Sequence, residues 1–199
     1  LLVAQESKSA SQEIIAIKQV VNNCLIDKDI SDLPMFELEY IYLILRSKSV
    51  DNNISFGISD PDTEERIELV LDLDAIQVTR NETHTNKIKI NEDYTLFLKY
   101  PNVDTFMKIL EMSPADPLVS YFIMVNCLDK IASEDEMFYF KDYMPEEVDT
   151  FMEGLSGDII GSIQRFFETM PKLRHEMKYT NKNGVEKTFV VEGMRTFFQ

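Results

Sequence analysis

Between Met35 and Leu45 the only charged residues are Glu37 and Glu39; every other position is Met, Phe, Leu, Tyr or Ile. The run continues to Ser49, which is long for a strand, and Leu33-Pro34 sets a proline near a helical first turn, so the segment reads as a helix. A helix that is apolar around most of its circumference has to be covered on several sides. It is therefore expected to be the central element, with the rest of the chain packed around it. The 199 residues suffice for one well-cored domain. Residues 1–199 read as a single α+β domain, with residues 1–10 flexible or ordered by a partner.

The flanking patterns alternate in period. Ser11 to Leu25 is an amphipathic helix, with Ile14, Ile17, Val21 and Leu25 on one face, and Asp27 to Asp32 is a polar connection. Ile54 to Ile58 and Ile67 to Val78 alternate as strands and form a hairpin across Asp60-Pro61-Asp62. Lys87 to Ile90 and Tyr94 to Tyr100 form a second hairpin across Asn91-Glu92-Asp93.

Helical spacing returns at Val103, Phe106, Met107 and Leu110. Asp116-Pro117 opens a helix whose apolar face is Leu118, Tyr121, Phe122, Val125 and Leu128. Pro145 opens another, and a further helix runs from Ile159 to Met170, ended by Pro171. Met137 to Tyr143 is an aromatic run without a clear period. Leu173 to Tyr179 and Val185 to Val191 make a last hairpin across Asn181-Lys182-Asn183-Gly184. The expected fold is α+β: a mainly helical domain with a small antiparallel sheet over about residues 54–100 and a C-terminal β-hairpin.

Charge narrows the partners. Twenty basic against 35 acidic residues leave a net charge of −15, which repels phosphate backbones and anionic lipid surfaces. Nucleic acid and membrane are not expected partners; the same charge favours solubility and is of the sign that steers a chain toward a basic partner. No window approaches the ~18–20 apolar residues of a membrane span. Leu1 to Glu6 lacks the basic region of a signal peptide, and with no initial Met the numbering is expected to start within a longer reading frame. Cys24 and Cys127 sit in apolar helical contexts and are expected to be buried free thiols, with a structural disulfide between them as the alternative.

Catalytic patterns are lacking. His84 lies in the polar loop Asn81 to Asn86, with no HxH, HExxH or neighbouring Cys, and reads as a structural loop residue. His175, at the start of the last hairpin, reads the same way. Asp60-Pro61-Asp62-Thr63-Glu64-Glu65 fails the EF-hand pattern, because its sixth position is Glu65 and its twelfth is Leu71. It reads as a solvated hairpin turn. GxSxG, SxxK, GxxxxGK[ST] and GxGxxG do not occur. No catalytic residue, metal, cofactor or small-molecule substrate is expected. The apolar helix around Tyr40, the Phe138 to Tyr143 run and Phe197-Phe198 exceed what one modest core obviously needs; they read equally as core or as interface, where Met and aromatic residues concentrate.

Four ordered segments resemble the T4-like phage baseplate hub family. The first is Leu33-Pro34-Met35-Phe36-Glu37-Leu38-Glu39-Tyr40, running on to Arg46-Ser47-Lys48-Ser49-Val50. The second is His84-Thr85-Asn86-Lys87-Ile88 with Lys99-Tyr100-Pro101. The third is Phe166 to His175 with Asn183-Gly184, and the last is Val191 to Phe198. The resemblance implies a structural or assembly protein of the baseplate central hub of a contractile-tailed phage, without enzymatic activity. Its partners would be other hub proteins, with self-association as a further option, and its place the host cytoplasm during assembly and the virion tail baseplate. The cysteine that family members carry near a Pro-Asp turn is missing from Ser59-Asp60-Pro61-Asp62, so no metal role transfers there. Candidate partner-binding residues are Phe36, Tyr40, Arg46, Lys48, Met194, Phe197 and Phe198. Two other classes stand as alternatives: a small cytosolic enzyme with a cryptic carboxylate or histidine site, and an acidic mimic of DNA.

Overall fold

The computed structural model describes residues 10–25, 30, 32–113 and 116–193. Met194, Phe197 and Phe198, the segment 1–9 and most of the connection from Asp27 to Asp32 lie outside the described residues. The chain divides into two compact units. One comprises the residues up to Thr79 together with those from Pro171 on; the other runs from Arg80 to Met170.

In the first unit, helix α1 (Ala10–Cys24) lays Ile14, Ile17 and Val21 against helix α2 (Met35–Ser49). Helix α2 buries Met35, Phe36, Leu38, Tyr42 and Leu43 and leaves Ile44 exposed, so one side of it stays open. Strands β1 (Asn53–Ser59) and β2 (Arg66–Asp72) form an antiparallel hairpin. Asp72 then caps a short 3₁₀ turn, Leu73–Ala75, by accepting from the Asp74 N–H. The turn redirects the chain into β3 (Gln77–Thr79), which pairs with β8 (Lys172–Thr180) rather than with β2. Strand β9 (Glu186–Glu192) completes a sheet of order β3-β8-β9. Its hairpin turn requires Gly184 at φ +75°, the left-handed region that favours glycine.

In the second unit, β4 (Lys87–Lys89), β5 (Thr95–Leu98), β6 (Leu128–Ala132) and β7 (Met137–Tyr139) form an antiparallel sheet in chain order. Helices α3 (Val103–Glu111) and α4 (Leu118–Asn126) connect β5 to β6. Asn102 caps α3 through the Thr105 N–H, and Asp116 accepts from the Leu118 N–H at the start of α4. After β7 a 3₁₀ turn, Phe140–Asp142, leads to α5 (Pro145–Glu153) and α6 (Gly157–Thr169). The core joins Ile88, Leu96, Leu98 and Leu128 of the sheet to Val148, Met152, Ile163 and Phe166 of α5 and α6.

The α+β class therefore stands, but the chain is not mainly helical. The described residues hold nine strands in three antiparallel sheets, not one small sheet over residues 54–100. The two hairpins expected in that range both form, yet they belong to different sheets and different units. The helix expected to include Leu128 stops at Asn126, and Leu128 opens β6. Cys127 is buried as expected, whereas Cys24 is exposed; both are free thiols.

Candidate functional site

The second unit's sheet has two unlike faces. Strand alternation places Ile88, Leu96, Ile131 and Phe138 in register on the inner face. Along this row cover falls away: Ile88 and Leu96 are buried, Ile131 is half-buried, and Phe138 is 37% exposed. Helices α5 and α6 pack over Ile88, Leu96 and Leu128, while Ile131 and Phe138 face a hollow that Val148 and Phe151 of α5 wall. The hollow is an apolar groove of about 440 Å³. Ile131 and Phe138 line it together with Ile90, Tyr94, Phe140, Tyr143, Val148 and Phe151. Met144, next to Tyr143 in the chain, is also exposed, whereas Met137 and Tyr139 are exposed on the opposite face of the sheet. Where α5 begins, Glu147 accepts from the Met144 N–H at 2.9 Å, which fixes the chain's entry into the groove wall.

Tyr94 also lines a second, polar hollow with Glu92, Asp93, Ser133, Glu134, Asp135 and Glu136. Two tight turns hold these carboxylates outward. Asn91 Oδ1 accepts from the N–H groups of Asp93 and Tyr94, and the Ser133 N–H donates to the Glu136 carbonyl. The Tyr94 hydroxyl donates to Glu136 at 3.3 Å, and the charge of Glu136 pushes the Tyr94 phenol up. Among the described residues, none of the five carboxylates lies in an ion pair.

The outer face carries the opposite charge. Lys87, Phe97, Lys130 and Tyr139 stand in register across all four strands. Lys130 lies 5.2 Å from the Phe97 ring centre and 5.5 Å from that of Tyr139, with Lys87 over Phe97 and Lys141 over Tyr139. These are cation–π distances.

His84 joins the loop before β4 to the end of α6. Its Nδ1 lies 2.9 Å from the Thr169 hydroxyl and its Nε2 2.8 Å from the Tyr100 hydroxyl. Thr169 donates its proton to the Arg165 carbonyl at 2.7 Å, so it accepts from His84 Nδ1–H, and Nε2 accepts from Tyr100. The ring packs on Tyr100 and Phe166, and burial pushes its pKa down. Both nitrogens are thus engaged in holding the loop.

In the first unit the turn read as solvated has Pro61, Asp62 and Glu64 exposed, but its first residue is buried. Asp60 is 1% exposed. Its carboxylate accepts from Lys187 Nζ at 2.9 Å, the Tyr179 hydroxyl at 2.9 Å, the Thr63 hydroxyl at 3.0 Å, and the N–H groups of Asp62 and Thr63. Burial alone would raise its pKa. The bonds from Lys187, Tyr179, Thr63 and Asp62 outweigh burial and hold it well below the usual carboxylate range. The network clasps the tip of the β1–β2 hairpin to the β8–β9 hairpin.

The sequence candidates fall mainly on α2. Phe36 is buried, Tyr40 and Arg46 are half-buried, and Lys48 pairs with Asp74 at 3.1 Å. The groove was not among them. Its one advance signal was the aromatic surplus of Met137 to Tyr143.

The architecture is that of a two-unit α+β protein whose second unit carries an open apolar groove with acidic neighbours. The chain belongs to the T4 bacteriophage base plate protein family, which matches it over residues 1–199. Neither the comparison with curated proteins nor that with solved structures yields a match.

Proposed function

We propose that this baseplate protein is a structural or assembly component of the central hub, acting without catalysis through contacts with other hub proteins. Family membership along the whole length carries the reading. The ordered hub-like segments from Leu33 to Phe198 support the hub position in particular. Contact as the mode of action is supported by the groove of the second unit, where Phe138, Tyr143 and Met144 stand exposed around an apolar hollow. Large apolar side chains gathered in one exposed place mark interaction surfaces. The engagement of both His84 nitrogens favours this reading over an enzyme built on that histidine.

Cross-linking followed by affinity capture of the chain from infected cells is the test. Recovery cross-linked to central hub proteins supports the proposal. Recovery with peripheral baseplate proteins alone would move the protein out of the hub, and recovery with no tail protein would overturn the reading.

A further inference from the structure

We infer that the groove of the second unit takes a basic amphipathic segment of another baseplate protein: apolar side chains seated in the hollow, Lys or Arg beside them. The inference rests on the reading that the chain works through protein contacts, and adds the chemistry of the partner.

The groove supplies the apolar half. Ile131 and Phe138 continue the core row of the sheet into the hollow, and Phe140, Tyr143 and Phe151 wall it. At about 440 Å³ it has the size of a ligand pocket. It is open along one side, and Phe138 and Tyr143 of its lining and the neighbouring Met144 are exposed, as suits a peptide lying across it.

The acidic turns choose the occupant. Glu92, Asp93, Glu134, Asp135 and Glu136 meet the groove at Tyr94, which lines both hollows. Neither lining contains a Lys or Arg. Like charges that line one hollow repel one another, the more so where they stand closer than the ~8 Å screening length of physiological salt. A cationic group docked there relieves that repulsion, while an acidic segment, an anionic lipid or a nucleic acid adds to it. The net charge of −15 acts in the same direction at longer range. A second copy brings the same net charge with it.

The test uses the full chain and peptides tiled across the phage's other tail proteins, displayed and selected for binding. Selected peptides are expected to combine apolar residues with flanking Lys or Arg. Their affinity should fall at least about tenfold, or ~1.4 kcal/mol, for the triple variant Glu134→Lys, Asp135→Lys, Glu136→Lys, and by a similar factor for Phe138→Asp. A triple reversal of the same charge elsewhere, Glu68→Lys, Asp158→Lys, Glu168→Lys, should cost much less. Binding should weaken from about 0.1 M to about 1 M salt, as the Debye length falls from ~10 to ~3 Å. All altered positions are exposed, and circular dichroism confirms folding. The neutral triple Glu134→Gln, Asp135→Gln, Glu136→Gln gives an intermediate loss if charge is the cause.

Acidic or uncharged binders, no binder at all, or equal binding by the lip and control triples would overturn the inference. So would concentration-dependent self-association abolished by Phe138→Asp, which would make the groove an interface between copies. If hub proteins are still captured by lip and groove variants, the hub reading stands and this inference falls. If basic peptides respond as expected but no tail protein is captured, the hub reading falls.

Discussion

Lys187 reaches across from β9 to place its ammonium 2.9 Å from the Asp60 carboxylate, whose side chain is wholly screened from solvent. The same ammonium lies 2.6 Å from Asp62. A buried charge is tolerated only when paired and hydrogen-bonded, and here the pairing also joins two hairpins far apart in sequence. Removing Lys187 leaves Asp60 buried without its cation, the costlier half of such a pair to strand. Lys187→Met is therefore expected to lower the melting temperature more than Lys178→Met. Lys178 belongs to an exposed pair with Glu186 at 3.7 Å, and exposed pairs contribute only about 0–1 kcal/mol.

Acid should act through the same carboxylate. Asp60 titrates well below the ordinary Asp value of about 3.9. In that case the unfolded chain takes up a proton before the folded one does. The stabilisation is fully present above about pH 4 and is lost as pH falls toward the folded value. Thermal melts of the wild type should show this loss below about pH 4. Asp60→Asn should start less stable and show a flatter acid limb; an unchanged limb would remove Asp60 from the account.

His84 gives the second unit a separate dependence. Its folded pKa lies below the ordinary value of about 6.5 because burial disfavours the charged ring. Protons therefore bind the unfolded state first, and stability declines as pH drops below about 6.5. His84→Gln should shrink that slope, and by leaving Tyr100 or Thr169 less well matched should cost about 1–3 kcal/mol. Titrating the two histidine ring resonances by NMR checks the direction.

The thiols should separate cleanly. Burial pushes Cys127 up to about 12, while Cys24 is exposed. Thiolate is the reactive form, so a maleimide should label Cys24 in the native protein and Cys127 only after unfolding. Prompt labelling of both would contradict the buried position of Cys127.

Along one register row, Leu96 and Phe138 should behave oppositely. Leu96 is fully buried, and Leu96→Ala should cost about 2–5 kcal/mol. Phe138→Ser removes a larger but exposed side chain, and is expected to cost about 1 kcal/mol or less in the isolated chain. Denaturant unfolding distinguishes the two.

Local patterns carried much of this architecture. The face of α1, the presence of α2, the β1–β2 and β4–β5 hairpins and the final hairpin follow from periodicity and turn residues. Strand β6 did not, for a physical reason. Leu98 faces Leu128 while Phe97 faces Lys130, so Asp129 is an extra residue in the ladder. The bulge turns Leu128 and Ile131, three apart, to the same face, which imitates helical spacing. Asp60 looked solvated because its partner Lys187 lies in a hairpin with no local connection to it. Of the site, the aromatic surplus of Met137 to Tyr143 was visible. That Ile131 and Phe138 would face a hollow depends on tertiary packing that no local window holds.

Thr79 and Lys172 face each other across the β3–β8 ladder. The segment between them therefore departs from and returns to nearly the same point of the first unit's sheet. During synthesis its strands and helices can close on their own core while β8 and β9 are still to be made, and the first unit's sheet waits for those two strands to emerge. The sheet of the earlier unit is then completed only after the second unit has been made, with the edge of β3 left unpaired until β8 emerges.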